Sequence, residues 1–215
     1  MSRDTVLHKV RTALGRSAGQ AIEEPPPVRL PIPEVGIEAR IQSFRERIEA
    51  LAGKTHRAAS SEDARDYVAR VIAGRSAIAS NAPILRECGI TLLPGVRAAI
   101  TDCNELRAVC STAICGISGA DYALADTGTL VMLSSRQEAR LISLLPPVFM
   151  ALVARERLLT GLDELLSILP HPAEQTSSMV LITGPSRTAD IEQILVRGVH
   201  GPGEIYAVVV EEKSK

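Results

Sequence analysis

The chain has 215 residues, with 24 basic and 25 acidic side chains and a formal net charge of −1. That length fits one domain, or one domain with a short arm, able to fold without disulfide or metal staples. At 46% hydrophobic and 23% charged, the composition excludes disorder, collagen and coiled coil for the whole chain. The absence of a basic excess speaks against a nucleic-acid partner, as does an aromatic set limited to Phe44, Tyr67, Tyr122, Phe149 and Tyr206. The core must be built from Ala, Val, Ile and Leu, the palette of buried parallel strands covered by helices.

Residues 2–14 can form a short helix, with Asp4 near its start and Gly15 just past its end. Residues 16–36, with Pro25-Pro26-Pro27, Pro31 and Pro33, read as an extended linker. Segment 1–36 is therefore expected to be an arm. It would dock on the body, on a second copy in a homo-oligomer, or on a partner. The body, 37–215, opens with Ile41, Phe44, Ile48 and Leu51 at helical spacing and Gly53 as a stop. A polar strand is predicted over 54–59. Ser60 and Asp63 then form a capping box for a helix over 61–73. Ala77-Ile78-Ala79 is a short buried strand, followed by a short helix near 82–88.

From Val109 to Ser135 the pattern has no helical period and predicts several short strands, the last being Thr129–Ser134. A helix over 136–145 and an apolar strand over Val148–Val153 follow. Thr160 and Asp163 are expected to cap a helix ending near Leu169. Ser178–Thr183 reads as a strand, Ala189–Val196 as a helix with Ile191, Ile194 and Leu195 on one face, and Ile205–Val210 as the last strand. Alternating strands and helices imply an α/β fold, a mostly parallel sheet with flanking helices, whose ligands gather at the carboxyl ends of the strands.

Cys88, Cys103, Cys110 and Cys115 are separated by fourteen, six and four residues, which match no zinc or iron–sulfur spacing. They read as small buried thiols in a reducing compartment. The N-terminus lacks an apolar signal region, and the fourteen-residue stretch Leu141–Ala154 is broken by Pro146-Pro147. That is too short for a membrane span, so a cytoplasmic protein is expected. Gly53-Lys54-Thr55 imitates a P-loop end, but position 48 is Ile rather than Gly. No dinucleotide fingerprint, nucleophile elbow or histidine pair at metal spacing occurs, so neither cofactor nor metal is called for.

Three segments can carry chemistry. Asp126-Thr127-Gly128-Thr129 packs a carboxylate, two hydroxyls and a flexible backbone between apolar runs. It reads either as an anion-holding loop or as a hairpin turn bonded to its own backbone. Thr183-Gly184-Pro185-Ser186-Arg187-Thr188 lies where a strand is expected to end and a helix to begin. Gly184, Ser186, Arg187 and Thr188 then either hold a carboxylate or phosphate or simply cap the helix. Gly198-Val199-His200-Gly201-Pro202-Gly203 presents a loop histidine suited to acid–base work, or merely an exposed turn. In a simple parallel sheet this loop falls at the end opposite Arg187, so a shared site needs a bent or antiparallel last strand or a second subunit. Arg140 can reach toward the Asp126–Thr129 turn or form a surface salt bridge.

Four stretches together resemble the lactate-utilisation (LUD) domain family: 116–131 (Gly-Ile-Ser-Gly-Ala-Asp-Tyr-Ala-Leu-Ala-Asp-Thr-Gly-Thr-Leu-Val), 140–148 (Arg-Leu-Ile-Ser-Leu-Leu-Pro-Pro-Val), 182–192 and 198–202. The resemblance covers roughly residues 37–211. Two departures stand out: Phe149 occupies a position where the family commonly has His, and Ser118 stands where Thr is common. With Phe149 there, the site is expected to be more apolar than the family pattern. The resemblance implies an α/β fold shared with sugar-phosphate isomerases and coenzyme A transferases. It further implies a cluster-free subunit of a system that oxidises L-lactate to pyruvate with two iron–sulfur partners. Two other functions compete. One is a stand-alone enzyme on a small sugar-phosphate or acyl substrate, using Asp126, Arg187 and His200. The other is a non-catalytic module binding a small carboxylate or phosphate.

Overall fold

The computed structural model describes residues 2–20, 32–136, 138–189 and 195–211, which fall into two units, Met1–Pro31 and Ile32–Lys215. In the first, helix α1 (Arg3–Ala13) starts at Ser2, whose Oγ accepts the Thr5 N–H. Asp4 in the first turn and Arg11 in the last complement the helix dipole. Most of the expected proline-rich linker, 21–31, lies outside the described residues.

The second unit runs α2 (Ile37–Ala50), β1 (Lys54–Ala58), α3 (Ser61–Ile72), β2 (Ala77–Ala79), α4 (Pro83–Glu87), β3 (Val96–Arg97), α5 (Cys103–Thr112) and β4 (Cys115–Gly119). It continues with β5 (Tyr122–Leu124), β6 (Thr129–Leu133), α6 (Arg140–Leu144), β7 (Val148–Ala154), β8 (Leu158–Leu159), α7 (Leu162–Ile168) and α8 (Pro172–Gln175). It ends with β9 (Met179–Ile182), β10 (Arg187–Ala189), β11 (Leu195–Arg197) and β12 (Glu204–Val210). The main sheet has the order β1-β12-β7-β4-β2-β3, and every pairing in it is parallel. The α/β expectation is met.

Burial explains the order. β7 and β12 are apolar runs shielded on both faces, so they take central places. β1 reads Lys-Thr-His-Arg-Ala and lies at the edge, where charged side chains discourage further pairing. On one face, Ala64, Val68 and Ile72 of α3 pack on Ile117, Met150, Leu152 and Val208. On the other, Ile41, Phe44 and Ile48 of α2 meet Phe149, Ala151, Val153, Ile205, Ala207 and Val209. Each large aliphatic or aromatic side chain so buried stabilises the fold by about 1.5–3 kcal/mol.

A second sheet, β8-β5-β6-β9, shares the α2 face through Ala123, Leu130, Met132 and Leu158. Its β5–β6 and β6–β9 pairings are antiparallel. Leu165 and Leu169 cover its outer side against Leu124, Val131 and Leu159. This sheet was not foreseen as a separate layer.

Several predicted elements are corrected. The helix expected over 189–196 is absent at both of its ends: Arg187–Ala189 and Leu195–Arg197 are strands paired antiparallel, and 190–194 lie outside the described residues. The Gly198 N–H donates to the Ser186 carbonyl at 3.0 Å and closes that hairpin at its base. The helix over 136–145 shortens to Arg140–Leu144. Gly161, not Thr160, precedes α7, and the Thr160 N–H instead donates to Glu164. Val109–Thr112 ends a helix, α5, whose Asp102 cap accepts the N–H groups of Asn104 and Glu105. Cys103 is exposed, while Cys88, Cys110 and Cys115 are buried.

Candidate functional site

The candidate residues read from sequence gather at the amino edge of the main sheet. Pro147 and Gly203 immediately precede β7 and β12, and the Gly203 N–H donates to the Pro147 carbonyl at 2.9 Å. The Ser186 N–H donates to Pro202 at 2.9 Å, which seats the Ser186 segment beside the His200 loop. The two loops therefore do adjoin within one chain. The reason is that β9 belongs to the antiparallel sheet, so its carboxyl end points toward the amino edge of the main sheet.

The Asp126–Thr129 turn lies at the same edge. Thr129 Oγ1 is 2.8 Å from Thr183 Oγ1 and 2.8 Å from Thr127 Oγ1, and Thr127 donates to Asp126 Oδ1 at 3.1 Å. Gly128 has φ +69°, and a side chain there would strike the Ile48 backbone nitrogen at 2.5 Å. Arg187 donates to the Leu51 carbonyl at the end of α2. Thr188 lies in β10 opposite Val196. The hydroxyls of this cluster bond one another and its arginine bonds backbone, the pattern of a packed turn. Asp126 and His200 are exposed, and no helix starts at Ser186 to hold an anion.

Arg140 stands apart from the Asp126 turn. It is half-buried beside Glu138, its Nη2 is buried without a hydrogen-bond partner, and burial lowers its pKa. The buried Ser118 Oγ, also without a partner, lines the same small void with Arg140 and Glu138.

At the carboxyl edge of the main sheet there is a cleft of about 570 Å³. Its walls come from the residues that follow β2, β4, β6 and β7, among them Ala82, Gly119, Asp121, Ser135, Glu138 and Arg157. This is where ligands of open parallel sheets collect. Glu138 is 9% exposed. Its Oε1 accepts from Ser80 Oγ at 2.9 Å and from the Gly119 N–H at 3.0 Å. Burial pushes this carboxyl up to about 8, reinforced by the nearby Asp121 charge and opposed by the two donors and by Arg140. Burial raises Asp121 as well, against the Leu133 N–H, which donates to its Oδ2 at 2.7 Å. Gly119 must be small, because a side chain there would meet Ala82 Cβ at 2.9 Å and Glu138 Oε1 at 3.1 Å. Arg157 donates to the Tyr122 hydroxyl at 3.2 Å and lies over its ring.

Sequence reading missed Ser80 and Glu138, and gave no role to Asp121, which opens the segment Asp121–Thr129. Ser80 and Asp121 carry a usable signal, since each polar residue comes just after a buried strand. Glu138 carries none. In Arg-Gln-Glu-Ala-Arg it looks like a solvated helix face.

The LUD domain model matches residues 41–210. The chain belongs to the LUD domain family. Among its relatives, a Halalkalibacterium halodurans protein named lactate utilization protein C is 31% identical over 226 residues, 98% of each chain. A protein of the same name from Anoxybacillus flavithermus is 36% identical over 98 residues, 46% of this chain and 44% of that one. The crystal structure of a DUF162 family protein from Deinococcus radiodurans superposes with a TM-score of 0.61 at 17% identity, covering 82% of this chain and 99% of that one. It shows the same fold.

In this LUD-family chain, Phe149 is 0% exposed and packs in the core between α2 and the main sheet. It lines neither the cleft nor the amino-edge turns, so it does not make a site more apolar.

Proposed function

We propose that this chain is the cluster-free subunit of a cytoplasmic system that oxidises L-lactate to pyruvate together with iron–sulfur partner subunits. The observation that carries the reading is the 31% identity, across 98% of both chains, to a protein named lactate utilization protein C. The cysteine spacing supports the cluster-free part. Among the described residues no helix is long and apolar enough to cross a membrane.

The carboxyl-edge cleft is the place for a small carboxylate. Arg86 and Arg157 line it, Ser80 and Gly119 orient its buried carboxyl, and three strand ends of the main sheet converge on it. At about 570 Å³ it is several times larger than a three-carbon acid.

The test is genetic and biochemical. Deletion of the gene is expected to abolish growth on L-lactate and spare growth on pyruvate, and the tagged protein is expected to bring down iron–sulfur proteins. Normal growth on L-lactate in a strain without a second copy overturns the reading. Turnover of a sugar phosphate or acyl thioester by the purified chain alone would replace it with a stand-alone enzyme.

A further inference from the structure

The cleft poses an electrostatic problem for an anionic ligand. Two guanidinium groups line it, Arg86 and Arg157, against four carboxyls, Glu87, Asp121, Glu138 and Glu156. Fully ionised, that lining repels a carboxylate. The group at the centre of the problem is Glu138, the most buried of the four. Its Oε1 already accepts two hydrogen bonds, from Ser80 Oγ and the Gly119 N–H. With both hydrogen bonds held by Oε1, Oε2 is the oxygen from which a neutral carboxyl can donate.

We infer that Glu138 receives the ligand's carboxylate as a neutral acid, donating the Oε2 proton to it, so that the cleft takes up a monocarboxylate together with a proton. This deepens the reading of the cleft as a carboxylate site and rests on it. A hydrogen bond from a neutral acid to a carboxylate is charge-assisted and stronger than a neutral pair. The charged groups around Glu138 set the balance. Asp121, on the turn after β4, opposes ionisation of Glu138, and Arg140, on α6, favours it. Arg86 and Glu87 come from α4, and Glu156 and Arg157 from the segment between β7 and β8. A bound anion adds negative charge beside Glu138 and holds its proton more tightly. Below the titration of Glu138 the site is ready. Above it, each ligand must bring a proton, and the apparent affinity falls about tenfold per pH unit.

Calorimetric titration of the purified chain with L-lactate, pyruvate and acetate, at pH 6.5 and 9 in buffers of different ionisation enthalpy, reads this directly. Uptake of close to one proton per ligand is expected at pH 9 and little at pH 6.5. The Glu138→Gln variant keeps a donor of similar shape, so it should bind with no proton uptake and with affinity independent of pH. Absence of binding by all three acids at pH 6.5, or binding by the wild type without uptake at pH 9, overturns the inference. So does uptake that persists in Glu138→Gln, which would place the proton on Asp121. The wild-type arm needs no variant, so a folding defect in Glu138→Gln cannot mask the answer. The failure modes separate. A deletion strain that grows on L-lactate removes the lactate reading and leaves proton-linked acetate binding in place. A strain that fails to grow, whose protein binds lactate without a proton, removes the role of Glu138 alone.

Discussion

Replacing Glu138 by Gln should change how stability depends on pH, with a sign that follows from burial. Burial pushes the carboxyl up to about 8 in the folded chain, from 4.5 for the free side chain. Between those values the folded state holds a proton that the unfolded state has released. Stability contributed by this group is therefore complete below pH 4.5 and drains away as pH rises toward 8. At about 1.4 kcal/mol per pH unit, the full loss is about 5 kcal/mol by pH 8.5. The Gln side chain cannot ionise and escapes it. Urea unfolding of both proteins from pH 5 to 9 measures the difference, which cancels every other titrating group to first order. At pH 5 the two midpoints should nearly coincide. At pH 8.5 the variant should be the more stable by several kcal/mol. Parallel pH profiles would show that Glu138 ionises freely, and the argument from its burial would fail.

Three further outcomes follow from contacts elsewhere. Gly128→Ala should cost about 2–3 kcal/mol in urea unfolding, because φ is +69° and the new methyl meets the Ile48 backbone. A thiol reagent should modify one cysteine of the native protein, Cys103, within minutes: Cys88 and Cys110 are buried, and burial pushes the Cys115 thiol up to about 12. Phe149→His should destabilise by about 3–4 kcal/mol, since a polar ring replaces a fully buried one, and should leave acid binding at pH 6.5 unchanged in the protein that remains folded.

The central strands of the main sheet were legible because they are apolar runs bounded by turn residues and helices, whereas the two-residue edge strand β3 was not read at all. Val148–Ala154 and Glu204–Val210 could hardly be anything else. The hairpin at 187–197 was not legible. Its residues fit helical spacing as well as alternation, and the deciding contacts, Ser186 with Pro202 and Gly198, come from tertiary packing. The helix expected there made Ser186 read either as a helix cap or as an anion holder, and the assumption of a single parallel sheet placed it at the end opposite His200. At the candidate site the difficulty was different. Motif chemistry drew attention to hydroxyls and glycines at tight turns, and those atoms bond one another. Glu138, which sits among charged neighbours in sequence, shows its isolation only once α6 and β4 are assembled around it.

The two edges of the sheet therefore divide the labour. At the amino edge, Gly128, Thr129, Thr183 and Arg187 fasten the second sheet and the β10–β11 hairpin to the end of α2. The Thr129 and Thr183 hydroxyls bond each other in doing so, and Arg187 gives one N–H to the Leu51 carbonyl. At the carboxyl edge, Glu38, Arg57, Arg155 and Glu211 form a ring of ion pairs over β1, β12 and β7. That ring closes one half of the edge and leaves the other half, over β4 and β2, as the cleft. A carboxyl buried there without an ion pair destabilises the fold by more than a typical surface substitution costs. A binding role for Glu138 supplies a reason for keeping it, and the two donors on Oε1 explain how the fold holds it in place while leaving its proton available.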